Sequence, residues 1–274
     1  MSPEKKIKLQ AKAALGNNNW AMAVSAVLVV LAVVMAVLYL LSGLDLLVYE
    51  LIEPLYEIAG FSQILGEEAS AESTVTSTLL LPLMVLIVPL IMGLVRFFYV
   101  LTKNQTAVFS ELFYYIGKRY FRSLGVFFGV LLRCLWQAIV CFMPFYIGFI
   151  AISQETADKD KLAFSDNIWY FIVYALLFGG ILLFAKLCIR YFLCFFLYFE
   201  DESLSIGELC TLSCTYMQKF KGSVMKLILS LFPWILSCIL IFPCLFVAPY
   251  VLTSLSTSAK WIIALYHQSE NKDE

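Results

Sequence analysis

Long apolar runs separated by short polar stretches dominate the chain. They occupy about 21–42, 78–101, 123–150, 168–199, 224–242 and 245–266. A helix rises about 1.5 Å per residue, so roughly 20 apolar residues cross a hydrocarbon layer about 30 Å thick. The pattern predicts an all-α, polytopic transmembrane helical bundle of about six spans, making one integral membrane domain over 1–274. Pro82 and Pro89 fall inside the second run, where proline is tolerated and kinks the helix. The fourth run is longer than one crossing needs. Its lower part carries Lys186 and Arg190 and is expected to leave the bilayer or run along its surface. Phe242-Pro243-Cys244 reads as a tight turn between the last two runs. That turn is so short that five spans, with the C-terminus outside, is the alternative.

The segments between the runs are patterned as well. Residues 1–19 form a cytoplasmic amphipathic segment. Ser2 can cap a helix over 3–15, Pro3 suits its first position, and Ile7, Ala11, Ala14 and Leu15 share one face opposite lysines. Such a helix suits an anionic membrane surface. Gly16 to Asn19 end it, and Trp20 stands where an interfacial aromatic belongs. Residues 43–77 are an acidic external loop. Leu44, Leu47, Val48, Leu51 and Leu55 keep helical spacing there, which suits a helix resting on the outer surface, and the tail from Ala69 to Ser77 is Ser/Thr-rich and expected to be mobile. Residues 153–167 read as a polar loop.

The connections 102–122 and 200–222 are expected as cytoplasmic interfacial helices, and they look alike. Phe109, Leu112, Phe113, Ile116 and Tyr120 recur as Ile206, Leu209, Cys210, Ser213 and Met217, with Glu111 matching Glu208 and Arg122 matching Lys219. Arg96-Phe-Phe resembles Arg190-Tyr-Phe upstream. Ser205 to Glu208 is a capping-box pattern that Val108 denies the first copy. Two units that both run outside to inside and back would be a parallel internal repeat about an axis along the membrane normal. The alternative is that any two cytoplasmic hairpins need an amphipathic helix followed by basic residues.

Charge sets the orientation. No lysine or arginine lies between Lys12 and Arg96, while Asp45, Glu50, Glu53, Glu57, Glu67, Glu68 and Glu72 fall in that gap. Sixteen of the 19 basic residues lie on the predicted cytoplasmic side or in the cytoplasmic half of a span, with Lys159 and Lys161 outside and Arg133 deep in a span. The positive-inside rule therefore places both termini in the cytoplasm. Composition agrees: 62% hydrophobic, 14% charged and a mean hydropathy of +0.87 are outside the range of soluble domains. The chain has no basic stripe of the kind nucleic-acid binding needs. The run after Trp20 is too long for the core of a cleaved signal peptide.

Ala11-Lys-Ala-Ala-Leu-Gly-Asn-Asn-Asn-Trp20, then Lys219-Phe-Lys-Gly222, Leu231-Phe-Pro-Trp234 and Pro249-Tyr250 with the small hydroxyl residues after it carry a resemblance that spans most of the chain. The chain resembles an uncharacterised bacterial membrane family, domain of unknown function 975. It departs from that family at Phe242-Pro243-Cys244, where a Gly-rich turn is usual, and in its long acidic loop. The resemblance implies a multi-pass protein of the bacterial cytoplasmic membrane with about six spans, and implies no activity.

Catalytic patterns are missing: no Gly-rich phosphate loop, no H-E-x-x-H and no G-x-S-x-G. One histidine, His267, and eight cysteines without a C-x-x-C pair give no zinc site, disulfide framework or cofactor expectation; the cysteines are expected to be packing residues. Asn104-Gln-Thr106 matches a glycosylation acceptor but falls on the cytoplasmic side. Arg133 lies about ten residues into the third run, hence about 15 Å deep at about 1.5 Å per residue, where a charge costs at least about 2.5–3.5 kcal/mol. It is expected to face the bundle interior or a wet cavity, with Gln137 one turn on. Arg133, Gln137, Arg96 and Arg190 are the candidate binding residues, for an anionic solute or a lipid headgroup; the competing reading of Arg133 is a structural charge bonded to backbone carbonyls. Glu111 and Glu208 are candidate ion-pair partners of Arg96 or Arg190, pinning each interfacial helix to its span. Gly179-Gly180 marks a hinge or a close helix contact. The expected partners are membrane lipids, through anionic headgroups on the cytoplasmic side, and a protein partner or a second copy. The functional expectation is a non-enzymatic membrane scaffold or regulator, with a small permease or exporter second and a lipid-modifying enzyme third.

Overall fold

The computed structural model describes the backbone of residues 3–16, 19–58, 71–103, 108–117, 119–157, 164–237 and 241–273, and their side chains apart from 41–58, 71–84, 86, 152–157, 164–169, 241–242 and 269–273. Every element among the described residues is helical. The first three are α1 (Pro3–Leu15), α2 (Asn19–Ile58) and α3 (Ala71–Thr102). A 3-10 turn (Phe109–Phe113) then runs into the single-turn α4 (Tyr114–Gly117). Next come α5 (Tyr120–Ala157) and α6 (Phe164–Cys188), a second 3-10 turn (Ile189–Tyr191) and α7 (Cys194–Glu200). The chain continues through α8 (Ile206–Met217), α9 (Lys221–Ser237) and α10 (Ile241–Asp273).

Where they are described, all six apolar runs are mainly helical, but several boundaries differ from the sequence expectation. At about 1.5 Å per residue, the 40 residues of α2 reach about 60 Å, so the leucine-spaced stretch after Leu41 continues the span helix instead of starting a separate surface helix. Ala71 to Ser77, expected as a mobile tail, opens α3, and α5 runs on through Ala157 into the expected polar loop. Phe242-Pro243-Cys244 is not a tight turn. It sits in the first turn of α10, where proline needs no N–H partner. Ser2, Asn104 to Thr106, Lys118, Lys159, Lys161 and Cys238 lie outside the described residues.

Among the described residues three helical stretches are long and apolar enough to cross a membrane: Asn19–Leu40, Tyr120–Ala151 and Tyr170–Glu200. Only 22%, 17% and 11% of their most apolar windows are covered by the rest of the protein. Leu132 is 70% exposed, Trp136 68% and Phe171 76%. In water such contiguous apolar surface would cost about 25 cal/mol per Å², and soluble monomers rarely leave patches of this kind open. The arrangement fits a helical membrane protein. The pair α8 and α9 makes a fourth candidate if counted as one broken span, but the two helices meet at 89°, as a helix lying along an interface would meet a span.

The chain forms two compact units. The amino-terminal unit is Ile7–Leu124 with Trp234–Thr257. Its core takes Ala23, Ala26, Val27 and Val30 from one face of α2, at helical spacing, against Leu90, Phe97, Phe98 and Leu101 of α3. Leu15 of α1 and Leu112 of the first connection complete it. The apolar face of α1 is therefore covered by protein and not left for lipid: Ile7 is 5% exposed, Ala11 and Leu15 0%. The Asn19 amide donates to Ala14 O at 2.9 Å, closing the end of α1 from the start of α2. Gly93 is required where the first connection crosses α3, since a Cβ there would stand 2.0 Å from the Leu112 carbonyl oxygen. Within α10, Thr253 and Thr257 are buried and donate back to Pro249 O and Thr253 O, which satisfies hydroxyls that apolar surroundings would otherwise penalise.

The central unit is Gly125–Pro233 with Met1–Lys6 and Ser258–Glu274. α5 and α6 pack as an antiparallel pair. A Cβ on Gly180 would lie 2.9 Å from Cys141 O and one on Gly148 3.0 Å from Val173, so seven residues up α5 match seven down α6. Gly180 thus serves a close helix contact, while Gly179 faces open space. The long fourth run breaks at Ile189–Tyr191 into 3-10 geometry before α7 resumes. Tyr216 of α8 stacks on Tyr266 with ring centres 3.7 Å apart, and Phe220 meets Trp261 edge-on.

Candidate functional site

Two polar clusters hold the residues singled out from the sequence, one in each unit. In the amino-terminal unit, Arg96 projects from α3 one turn beyond Gly93. Because Gly93 lets the backbone at Leu112 close on α3, Glu111 arrives beside the guanidinium. Arg96 Nε donates to Glu111 Oε2 at 2.8 Å, and another guanidinium nitrogen donates to Tyr115 Oη at 3.1 Å. The guanidinium carbon lies 3.9 Å above the Tyr114 ring. The pair is 17% and 27% exposed at its side chains. A planar cation that stacks and bonds in a fork is a use that suits arginine better than lysine. Here it fixes the first connection to α3.

In the central unit, Arg133 of α5 reaches the start of α8, its guanidinium 3.4 Å from the Ile206 carbonyl. Gly129, one turn earlier, gives Ile206 its seat: a Cβ on it would fall 2.7 Å from Ile206 Cγ2. Arg133 therefore meets the second connection instead of standing alone at mid-span. The 38 residues of α5 exceed by far the roughly 20 that a crossing uses, which leaves its first turns room to pack against α8. Gln137 donates to Tyr191 Oη at 3.1 Å. Its carbonyl oxygen Oε1 and Arg190 Nε are buried without a hydrogen-bond partner. The Arg190 carbonyl accepts from Ser213 Oγ at 2.7 Å.

Glu208 does not pair with Arg190. Ser205 N donates to Glu208 Oε2 at 2.8 Å and Glu208 N donates to Ser205 Oγ at 3.3 Å, a complete capping box at the start of α8. The Ser205 backbone N–H, and after it the Ser205 hydroxyl, hold the Glu208 carboxyl below its usual range. A helix N-terminus attracts its own acid more directly than an arginine on another element. The first connection has Val108 at the cap position with no side-chain bond, and forms a 3-10 turn and one α-turn instead of a twelve-residue helix.

The structure also brings together residues that sequence reasoning left apart. Cys194 of α7 and Cys210 of α8 place their sulfurs 3.8 Å apart, within a buried cluster that includes Val130 and is flanked by Cys134, Tyr191, Phe195 and Ile206. No short motif announces two cysteines sixteen residues apart, since the α7–α8 hairpin alone joins them. Tyr114 and Tyr115 were likewise missed. His267 lies near Tyr216, ring centres 6.4 Å apart. Among the described residues no group of three or more His, Cys, Asp or Glu side chains could hold a metal ion. Comparison with protein-family models, with curated proteins and with solved structures gives no match.

Proposed function

We propose that this chain is a multi-pass integral membrane protein that acts by association, as a scaffold or regulator without catalytic chemistry of its own. The observation that carries the reading is how its polar groups are spent. Arg96 is taken by Glu111 and two tyrosines, Glu208 by its own helix cap, and Arg133 by a backbone carbonyl, while the long helices turn bare apolar faces outward. Groups committed to holding connections in place are not poised on a substrate. In this reading the six apolar runs all span, both termini and the two basic connections face the cytoplasm, and lysines of α1 meet anionic headgroups. The 89° bend between α8 and α9 supports α8 as an interfacial helix. The resemblance to domain of unknown function 975 supports a bacterial cytoplasmic membrane as its setting, and the matching order of the two connections supports descent from a duplicated hairpin.

A second reading, a small permease for an anionic solute or lipid, is favoured by one observation: Arg190 Nε and Gln137 Oε1 are buried without partners, Gln137 one turn along α5 from Arg133. Reconstitution in anionic vesicles separates the two. Flux of a panel of organic and inorganic anions at the level of empty vesicles, unchanged by Arg133→Leu, supports association. Saturable flux that Arg133→Leu abolishes replaces it with transport.

A further inference from the structure

Cys194 and Cys210 are 0% and 4% exposed, and their sulfurs are in contact at 3.8 Å. The Cys194 thiol also lies 3.8 Å from Leu209 O, so the start of α7 is held against the first turns of α8. The Cys194 thiol donates to the Cys210 sulfur, and that contact, then the positive charge of Arg133, whose guanidinium lies against Ile206 one turn before Cys210, hold the Cys210 thiol below its usual range. That placement follows from the glycine seat at Gly129, which brings Ile206, four residues before Cys210, down onto α5. A cation beside a sulfur favours the thiolate, which is the form that reacts with oxidants and disulfides. The second thiol in contact is what turns such a cysteine from a dead end into a reversible site. A disulfide requires the two sulfurs to close to a bond length of about 2.05 Å.

The geometry points to a peroxide-reactive dithiol at Cys194 and Cys210, supported by Arg133 and closed to a disulfide by a two-electron oxidant. The Cys210 sulfur attacks one peroxide oxygen; the O–O bond breaks, an S–O bond forms, and the leaving hydroxide takes the thiol proton as water. The Cys194 sulfur then attacks the sulfenic sulfur; the S–O bond breaks, the S–S bond forms, and a second water leaves. Two thiols lose two electrons and two protons, and one hydrogen peroxide becomes two waters. The bond ties α7 to α8 across the Asp201–Ser205 link, and a thiol reductant of the kind the cytosol maintains reopens it. This site is independent of whether the protein is a scaffold or a permease.

The test is mass-spectrometric cysteine mapping of the full-length protein in detergent micelles, reduced, then exposed to hydrogen peroxide and alkylated. The expected product is one cross-linked peptide pair joining Cys194 to Cys210, reversed by dithiothreitol. In Cys194→Ser, dimedone should trap a sulfenic acid on Cys210, and Arg133→Leu should slow cross-linking at least several-fold while a Cys194-to-Cys210 bond still forms at high peroxide. A folded wild-type protein that gives no such pair, or that joins other cysteines first, overturns the assignment. Should Cys194→Ser fail to fold, the wild-type map decides alone.

Discussion

Single side chains in this protein matter most where they let backbones meet. Gly93 is the sharpest case, because its missing Cβ admits the Leu112 carbonyl and so delivers Glu111 to Arg96. Gly93→Ala is expected to lower the melting temperature in detergent, at a cost of about 1–3 kcal/mol for overpacking that backbone cannot relieve. Glu111→Gln should cost about 1.5 kcal/mol, the lower end for a charged hydrogen bond, since both partners are partly exposed; scanning fluorimetry of purified variants reads both. At the start of α8, Ser205→Ala should cost about 0.5–2 kcal/mol. The pH dependence of that cap has a definite sign. Folding holds the Glu208 carboxyl below its ordinary value of 4.5 through the backbone and side-chain bonds of Ser205, so its contribution is complete above that value and disappears as pH falls through the lower, folded one. A melting temperature that drops in acid for wild type but less for Glu208→Gln is the expected result.

At the level of elements, the long helices explain why charge and exposure look inverted. Trp136 on α5 is 68% exposed, and in a soluble protein an arginine there would change stability by about 0.5 kcal/mol or less. Against hydrocarbon the same change costs about 2.5–3.5 kcal/mol, so Trp136→Arg should cut accumulation in the membrane fraction, measured by quantitative blotting, while Phe121→Arg at the start of α5 should not. The helical character of the apolar runs is legible from apolar length, because a long apolar run in lipid leaves the backbone only one way to satisfy its N–H and C=O groups; among the described residues three or four of those helices are long and apolar enough to cross. Helix ends were less legible. Ala71–Ser77 and Phe242–Cys244 look like breakers by composition, yet both continue into helices, since Ser, Thr and a first-turn proline are compatible with a helix start.

For the whole molecule, reporter fusions at Ser70 and at Lys118 should map to opposite sides of the membrane, and the purified protein should need detergent to stay monodisperse. The residues themselves determined the solvent: more than half of the chain is apolar, and runs of that length have no stable place in water. They also determined the capping box of α8, because a cap is a local arrangement of residues three apart. The partner of each buried charge was decided elsewhere. Glu111 and Glu208 occupy matching positions in the sequence alignment of the two connections, yet one meets Arg96 and the other caps its own helix, a difference set by Ser205 standing at the second cap position where the first has Val108 and by Gly93 bringing Glu111 against α3. The meeting of Cys194 with Cys210 belongs to the same class. Distances between elements are fixed by packing and by where glycines let backbones close, and no pattern of adjacent residues carries that information.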